Sequence, residues 1–344
     1  MPLGAASVDS LLPLRLLGND WAGAMKNKAQ QVLDAVETIY VGKRHVVEKL
    51  LTAILANGHV LLEDVPGTGK TLLTKLIARL CGVTYKRVQG TAELLPSDIL
   101  GGEIWDMSTK SFKLVKGPVF TNILLFDEIN RVPPKTLSAM LEVSEERQVT
   151  IGGESFKMAR PFFLMATQNP TEFEGTWVLP EAQVDRFLMR VSTGYPKTIE
   201  DENSLLERRI QWKADDPSDS LKPLLDGEAI QEMQAHIEEK VFVERSVVNY
   251  ISSIVRATRG HPKVALGASP RGSLSLLKVS RAYAFVQGRD YVIPDDIRQF
   301  ASDCLCHRVA IKMDHEIEGV KPEAIIAEIL ESVPVPRGSH ARKA

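Results

Sequence analysis

The sequence predicts an α/β fold, in which a three-layered αβα sandwich around a parallel five-stranded sheet precedes a smaller all-α domain. Between residues 26 and 196, short runs that are apolar at every position alternate with helical patterns. Strands that are apolar on both faces are typical of parallel sheets covered by helices. Strand patterns stop after residue 196 and only helical patterns follow, so we predict a domain boundary there.

These patterns divide the chain into four parts. Residues 1–25 show no clear period and are interpreted as an N-terminal extension, 26–196 as the α/β core, 197–336 as the helical domain, and 337–344 as a disordered tail. Apolar runs and alternating segments predict five sheet strands, at residues 59–62, 84–88, 122–126, 161–166 and 187–191. Two further alternating segments, at residues 101–117 and 148–158, predict β-hairpins.

Composition narrows the class of protein. The 344 residues are 44% hydrophobic and 25% charged, which is ordinary for a globular protein, and no apolar run has the length of a bilayer span. Three cysteines make no disulfide framework, so we expect a reducing, cytoplasmic location. The formal net charge is −2, so the strongly basic footprint of a nucleic-acid-binding protein is missing.

Residues 61–71 read LLEDVPGTGKT and carry the strongest functional pattern. An apolar strand, a glycine-rich loop and an apolar helical pattern follow one another, which is the layout of a phosphate-binding P-loop. Lys70 would reach the β- and γ-phosphates, and the Thr71 hydroxyl would bind Mg²⁺. The predicted ATP-binding residues of this loop are Asp64, Val65, Pro66, Gly67, Thr68, Gly69, Lys70, Thr71 and Leu72. The alternative is a plain strand–loop–helix connection.

A second pattern, ILLFDE at residues 123–128, ends a buried strand with two carboxylates. Ligands of open parallel sheets bind at the carboxyl ends of the strands. Asp127 would hold Mg²⁺, directly or through water, and Glu128 would polarise the attacking water. The alternative is a strand that ends in a solvated acidic turn.

Three more polar residues are candidates for catalysis. Asn169 follows another apolar run and would contact the γ-phosphate or the water, although Asn-Pro is also a common turn signal. Arg186 precedes the fifth strand and suits transition-state charge on phosphate, unless it pairs with Asp185 or Glu181. Arg271 opens a helix of the second domain, from where it would reach a nucleotide at the domain cleft or merely cap a turn.

At this point the chain resembles the MoxR group of AAA+ ATPases over almost its whole length, from residue 26 to residue 336. The resemblance rests on LLEDVPGTGKT and on six further motifs: ELLPSDILG (93–101), LLFDEINR (124–131), EERQVTIGG (145–153), ATQNP (166–170), LPEAQVDRF (179–187) and GASPR (267–271). The two predicted hairpins match the helix-2 insert and the pre-sensor-1 insert of that group. Two positions depart from the family pattern. Asp64 replaces the first glycine of the P-loop, and Gly90 stands where a bulkier residue is expected, which predicts a looser helix-2 region.

The resemblance implies roles for individual residues. It implies that Lys70 and Thr71 belong to Walker A, Asp127 and Glu128 to Walker B, Asn169 to sensor 1, Arg271 to sensor 2, Arg186 to an arginine finger that serves the neighbouring subunit, and Val41 and Gly42 to the segment beside adenine. It also implies ATP and Mg²⁺ as ligands, a homohexameric ring, a partner with a von Willebrand factor A domain, and client protein complexes.

Four functions are candidates for a sequence with these motifs. An oligomeric ATPase that remodels protein complexes fits best, and a nucleic-acid motor of the MCM type is the alternative because such helicases share the inserts. The acidic composition disfavours the motor. A P-loop kinase or GTPase is disfavoured because no Asn-Lys-x-Asp guanine signature is present. A non-hydrolysing scaffold is disfavoured by Glu128.

Overall fold

The computed structural model of the protein describes residues 19–63, 67–169, 174–196, 198–213 and 216–336. The elements of the first domain are, in chain order, α1 (Asn19–Glu37), α2 (Arg44–Leu55), β1 (Val60–Glu63), α3 (Lys70–Leu80), β2 (Tyr85–Gln89), α4 (Pro96–Leu100), β3 (Gly101–Asp106), β4 (Ser111–Lys116), β5 (Ile123–Asp127), α5 (Pro134–Glu146), β6 (Gln148–Ile151), β7 (Glu154–Lys157), β8 (Phe163–Gln168), α6 (Glu181–Val184) and β9 (Met189–Val191).

The predicted parallel sheet is confirmed. Its five strands lie in the order β2-β5-β8-β1-β9, and every neighbouring pair is parallel. The central strands β5 and β8 are buried almost throughout, whereas β2 at one edge is largely exposed. The runs apolar at every position therefore identified the strands covered on both faces. The carboxyl ends of β5, β8 and β1 lie side by side at one edge of the sheet.

Successive residues of each central strand face opposite layers, as the two-residue repeat of a strand requires. Leu124 and Phe126 pack in one hydrophobic core, together with α5. Ile123 and Leu125 pack in the other core, which contains α1, α2 and α3 and continues into the helical domain. The two domains therefore share one of their hydrophobic cores.

Both predicted hairpins are present. Strands β3 and β4 form one antiparallel pair, and β6 and β7 form the other, with a turn at Gly152 and Gly153 as predicted. The first hairpin exposes Trp105 and Phe112, whose rings stack edge to face with centroids 5.1 Å apart. Each hairpin is a two-stranded sheet outside the central one.

The second domain is helical, as predicted, and also contains a short β-ladder. Its elements are α7 (Ile199–Trp212), α8 (Gly227–Lys240), α9 (Arg245–Gly260), β10 (Val264–Leu266), α10 (Pro270–Val286), α11 (Pro294–Leu305), β11 (Ala310–Ile311), α12 (Met313–Ile317) and α13 (Pro322–Ser332). The antiparallel pair β10–β11 departs from the all-α expectation. Strands of three and two residues are too short to show a repeat in the sequence.

The first helix begins earlier than the sequence pattern indicated. Helix α1 starts at Asn19, whereas residues up to 25 were expected to form an extension. The helix contacts the second domain, since Lys26 Nζ lies 2.7 Å from Asp290 Oδ1 and Gln30 Nε2 donates to the Val286 carbonyl at 2.6 Å. The rest of the predicted extension and the predicted tail lie outside the described residues.

A buried histidine links the sheet to α5. The Leu164 N–H donates to His59 Nδ1 at 3.1 Å, so His59 Nε2 carries the proton that reaches the Ser144 carbonyl at 3.0 Å. Complete burial lowers the pKa of His59 to about 3, and the nearby Arg147 acts in the same direction. The ring is therefore a neutral structural bridge.

Candidate active site

The glycine-rich loop has the backbone that phosphate binding requires. Gly67 and Gly69 have φ angles of +82° and +80°, in the left-handed region that favours glycine. A side chain at Gly67 would meet no atom within 4 Å, so the backbone there faces open space. Helix α3 begins at Lys70, directly after this turn, and presents its N-terminus to the same space. Residues 64–66, including the unusual Asp64, lie outside the described part of the chain.

Tyr40 anchors this loop, although no sequence motif indicated it. Its buried hydroxyl donates to the Thr68 carbonyl at 2.7 Å. A Cβ at Gly69 would lie in a tight contact, 3.0 Å from the Tyr40 ring, and the φ angle of +80° also favours glycine at this position. Val41 and Gly42 follow Tyr40, and the anchor therefore brings the segment predicted to flank adenine beside the loop. A Cβ at Gly42 would lie 2.8 Å from the Asp201 carboxylate of α7.

The two acids lie at the carboxyl end of β5, at the edge of the sheet where ligands of parallel sheets bind. Asp127 is its last residue and is buried, and Glu128 has φ +53° and ψ 50°, a left-handed conformation rare for a residue with a Cβ. Arg87 Nε donates to Asp127 Oδ2 at 2.6 Å. The Glu128 carboxylate forms an ion pair with Arg131, whose Nε lies 2.9 Å from Oε2. Backbone strain of this kind clusters at functional sites.

Thr167, on the neighbouring strand β8, holds both acids in place. Its hydroxyl accepts the Glu128 backbone N–H at 3.0 Å and donates to Asp127 Oδ1 at 3.2 Å. One hydroxyl thus uses its donor and an acceptor position at once. Thr167 lies inside the quoted ATQNP motif, but only the pairing of β5 with β8 shows what it does.

Gly90 overturns one expectation. The sequence comparison predicted that a glycine here loosens the helix-2 region, but the site is tightly packed. A Cβ at Gly90 would lie 2.3 Å from the Glu128 carbonyl oxygen and 2.8 Å from that of Asp127. The Gly90 N–H donates to the Asp127 carbonyl at 2.7 Å. Glycine is therefore required because the chain after β2 passes directly against the two acids.

Asn169 follows β8 and is buried. Because β8 lies between β5 and β1, the sheet places Asn169 between the acids and the glycine-rich loop. The structure thus brings Lys70, Asp127, Glu128 and Asn169 to neighbouring strand ends at one edge. The donor set also fits Mg²⁺, since the Thr71 hydroxyl and the Asp127 carboxylate are hard oxygen ligands.

Arg186 and Arg271 lie elsewhere, on a shared carboxylate. Arg271 Nη2 lies 2.7 Å from Glu145 Oε1, and Arg186 Nη1 lies 3.5 Å from Glu145 Oε2. Glu145 is at the carboxyl end of α5. Within the described residues, the side-chain ion pairs of both arginines are with Glu145 and, at 3.9 Å for Arg271, with Asp185. Neither arginine contacts Asp127 or Glu128.

Arg308 fixes the segment that carries Arg186. Its buried guanidinium donates to the Asp185 carboxylate at 2.7 Å, to the Asp185 carbonyl at 2.9 Å and to the Phe187 carbonyl at 2.6 Å. Burial lowers the pKa of Arg308, and the Asp185 carboxylate opposes that shift. Ser269, which caps α10 in front of Arg271, also donates to Asp185, at 3.2 Å. One carboxylate therefore ties the two arginine-bearing segments together.

Comparison with known proteins agrees with this geometry. Residues 59–189 match the ATPase family associated with various cellular activities (AAA), and residues 256–329 match the AAA lid domain. The chain is 40% identical to the chaperone MoxR1 of Mycobacterium tuberculosis, over 93% of this chain and 85% of that protein. It is 45% identical to the uncharacterised protein YeaC of Bacillus subtilis, over 89% of this chain and 94% of that protein.

The chain belongs to the MoxR family of AAA+ ATPases. A crystal structure of a proposed ATPase from Cytophaga hutchinsonii superposes on it with a TM-score of 0.85 and 38% identity, covering 92% of this chain and 97% of that one. The AAA+ fold with a helical lid and the ATPase activity predicted from the sequence are thereby confirmed. No helix in the described ranges of this MoxR-family protein is both long enough and apolar enough to cross a membrane.

Two cysteines and the partners of Arg186 are further features of this MoxR-family ATPase. Cys304 and Cys306 are buried thiols whose pKa values are raised by burial, to about 12 for Cys306. The candidate partners of Arg186 suggested by sequence were Asp185 and Glu181. In the structure, Asp185 instead forms an ion pair with Arg308, and Arg186 forms one with Glu145.

Proposed function

We propose that this MoxR-family protein hydrolyses Mg·ATP at a site completed by a second copy of the chain in a ring, and uses the energy to remodel client protein complexes. The observation that carries the proposal is the position of Arg186 and Arg271 on the Glu145 carboxylate. The guanidinium groups at this sheet edge, those of Arg87 and Arg131, are paired with Asp127 and Glu128, so a further arginine is needed to meet the charge of the transition state. A neighbouring subunit supplies it if Arg186 and Arg271 act together in trans.

The residues of one chain divide the chemistry among themselves. Lys70 and the N–H groups that follow Gly67 bind the β- and γ-phosphates. Mg²⁺, when bound by Thr71 and Asp127, neutralises charge on those phosphates. Glu128 accepts a proton from the water that attacks the γ-phosphorus, the bond from that phosphorus to the ADP oxygen breaks, and ADP and phosphate form.

Three neighbouring residues, Thr167, Arg131 and Arg87, position the two acids. Thr167 orients both acids through a single hydroxyl, and the left-handed backbone at Glu128 turns its side chain out of the strand direction. Arg131 pairs with Glu128 and must yield for Glu128 to act as a base. Arg87 pairs with Asp127, so it balances the buried charge of that carboxylate.

The proposal also includes the binding partners of the protein and its cellular location. We expect client protein complexes and a partner with a von Willebrand factor A domain, as the family resemblance implies, in a cytoplasm that suits three unpaired buried thiols. Trp105 and Phe112 are exposed aromatic residues of the first hairpin and would grip a client there.

Three variants test the site. Lys70→Ala should abolish ATP binding in calorimetry while the fold is retained, and unchanged affinity would remove the P-loop assignment. Glu128→Gln should bind ATP but turn over roughly 10²- to 10⁴-fold more slowly, because it loses the general base. Glu142→Gln, on the exposed side of α5, is the matched control and should turn over at the wild-type rate.

The client class needs a separate measurement. Glu128→Gln held in ATP serves as bait, and we expect it to retain protein complexes. Wild-type ATPase rates are then measured with and without single- and double-stranded DNA at several salt concentrations. Strong stimulation by DNA, falling steeply with salt, would favour the nucleic-acid motor instead.

A further inference from the structure

Helix α7, the first element of the second domain, turns its polar face inward and its apolar face outward. The face turned toward its own subunit is mostly polar and carries the partly buried Asp201, Ser204, Arg208 and Trp212, spaced as one helical face. Arg208 Nη1 donates to the Glu37 carbonyl at 2.7 Å, and Trp212 packs against the core. A surface helix usually turns its apolar stripe inward, so this helix is oriented against the ordinary rule.

The opposite face is apolar and uncovered. Ile199, Leu206 and Ile210 are 71%, 57% and 73% exposed, and no residue of α7 is buried. Spacings of seven and four residues place the three side chains in one row. Single exposed apolar residues need no explanation, but an aligned row on one helix marks an interaction surface.

The position of α7 indicates which molecule covers this row. Asp201, in the first turn of α7, lies against Gly42, so the helix borders the segment predicted to flank adenine. Whatever covers α7 therefore lies beside the nucleotide site. The proposed function already requires the arginines of a neighbouring copy to arrive there.

The arginine-bearing surface has matching properties. Leu274 is three residues after Arg271 on α10, hence close to it on the helix, and is 56% exposed. Leu266, on β10 shortly before α10, is also 56% exposed. The first turn of α7 exposes Glu200 and Glu202. An acidic and apolar surface thus has a cationic and apolar counterpart on the same chain.

We propose that the outward row of α7, defined by Ile199, Leu206 and Ile210, is covered by the lid of the next copy of this chain, around Arg271 and Leu274. This contact joins two different surfaces of identical subunits, so it is a head-to-tail contact that generates a ring when the rotation closes. The inference rests on the proposed ring, and it adds the surface that brings the arginines of one copy to the nucleotide of the next.

The test compares Ile210→Glu with Ile317→Glu, a chemically identical change at an 80%-exposed isoleucine of α12. The molecular mass of the assembly in solution and its ATPase rate are measured as functions of protein concentration in saturating Mg·ATP. We expect Ile210→Glu to need a roughly 10- to 100-fold higher concentration for assembly, as loss of one buried isoleucine contact implies. Its ATP affinity as a monomer should be unchanged and its turnover low, while Ile317→Glu behaves as wild type.

Each result has a defined meaning. If wild-type protein assembles and Ile210→Glu assembles equally well, the interface is wrong and the ring stands. If wild-type protein stays monomeric in Mg·ATP while hydrolysing it, the proposed ring itself fails. Equal loss of assembly in both variants, or loss of ATP binding in Ile210→Glu, would also overturn the assignment of α7.

A second measurement does not depend on a destabilising charge. One copy carries Ile210→Cys and another carries Leu274→Cys, and the mixture is treated with a short bismaleimide in Mg·ATP. The three native cysteines are buried, so background reaction is low. We expect covalent dimers in the mixture and far fewer in either single variant. Absence of dimers from a mixture that forms rings would contradict the proposal.

Discussion

Replacing Gly90 with alanine tests whether the chain after β2 supports the two acids. The new Cβ would lie 2.3 Å from the Glu128 carbonyl oxygen and 2.8 Å from that of Asp127. Both contacts are with backbone atoms, which cannot rotate away as a side chain does. The end of β2 and the residues after β5 must therefore separate, and the hydrogen bond from the Gly90 N–H to the Asp127 carbonyl must lengthen.

The cost follows from these contacts. Overpacking of this kind costs about 1–3 kcal/mol, and weakening one buried hydrogen bond costs about 1 kcal/mol. We expect the free energy of unfolding of the first domain to fall by about 2–4 kcal/mol. At roughly 2–4 °C per kcal/mol for a domain of this size, its unfolding temperature should fall by roughly 4–16 °C. A shift of Glu128 by ~1 Å should also lower turnover by about 10²-fold.

The matched control is Gly102→Ala in β3, where a Cβ would meet no atom within 4 Å. Thermal unfolding without nucleotide and steady-state ATPase rates are measured for both variants. Gly102→Ala should stay within about 0.5 kcal/mol of wild type, as surface changes usually do. If Gly90→Ala unfolds and turns over like Gly102→Ala, the close packing against the acids is refuted.

Two further perturbations follow from the same structure. Glu145→Ala should leave ATP affinity unchanged and lower kcat by about 2- to 30-fold, since two partly exposed ion pairs, to Arg186 and Arg271, contribute ~0.2–1 kcal/mol each. The neighbouring Glu146→Ala variant is the control. Equal kcat values of the two variants would contradict a positioning role for Glu145. His59 has its folded-state pKa lowered from 6.5 to about 3, so the unfolded state binds the proton first and stability falls as pH drops from about 6.5 toward 3. Between pH 7 and pH 5, His59 should lower the free energy of unfolding by about 2 kcal/mol in denaturant titrations. The His59→Gln variant should lack this decrease. A decrease of the same size in that variant would contradict the assignment to His59.

Those parts of the molecule that depend on local pattern were predictable from the sequence. The apolar runs ending in Asp127 and Asn169 identified the central strands, because strands buried on both faces carry no polar positions. The glycines at 67 and 69 identified the loop, because its backbone requires left-handed φ angles. Each of these patterns occupies a segment of about ten residues or fewer.

Those parts that depend on distant contacts were not predictable. Arg271 meets Glu145 across 126 positions, and Arg308 meets Asp185 across 123. Glu145 opens the EERQVTIGG motif, but that motif does not indicate which side chains its carboxylate contacts. Gly90 was misjudged for the same reason, since its significance lies in an approach to Glu128 that only the pairing of β2 with β5 creates.

Helix α7 shows an intermediate case. The sequence predicted helical patterns after residue 196, but a helical repeat does not say which face is turned inward. The contacts of Asp201 and Arg208 decide that point, and they leave the apolar row outside.

The central claim is that each active site is divided between two chains, and a mixing experiment tests it most directly. Arg186→Ala should bind ATP and hydrolyse it poorly, as loss of an arginine finger is worth roughly 10³ to 10⁵ in rate in well-studied P-loop systems. Lys70→Ala should not bind ATP. In a mixed ring, the intact Arg186 of a Lys70→Ala copy serves the intact nucleotide site of its neighbour. ATPase activity should therefore reappear when the two inactive proteins are mixed, with subunit exchange verified by a labelled copy. Exchange without recovered activity at any mixing ratio would contradict the divided site.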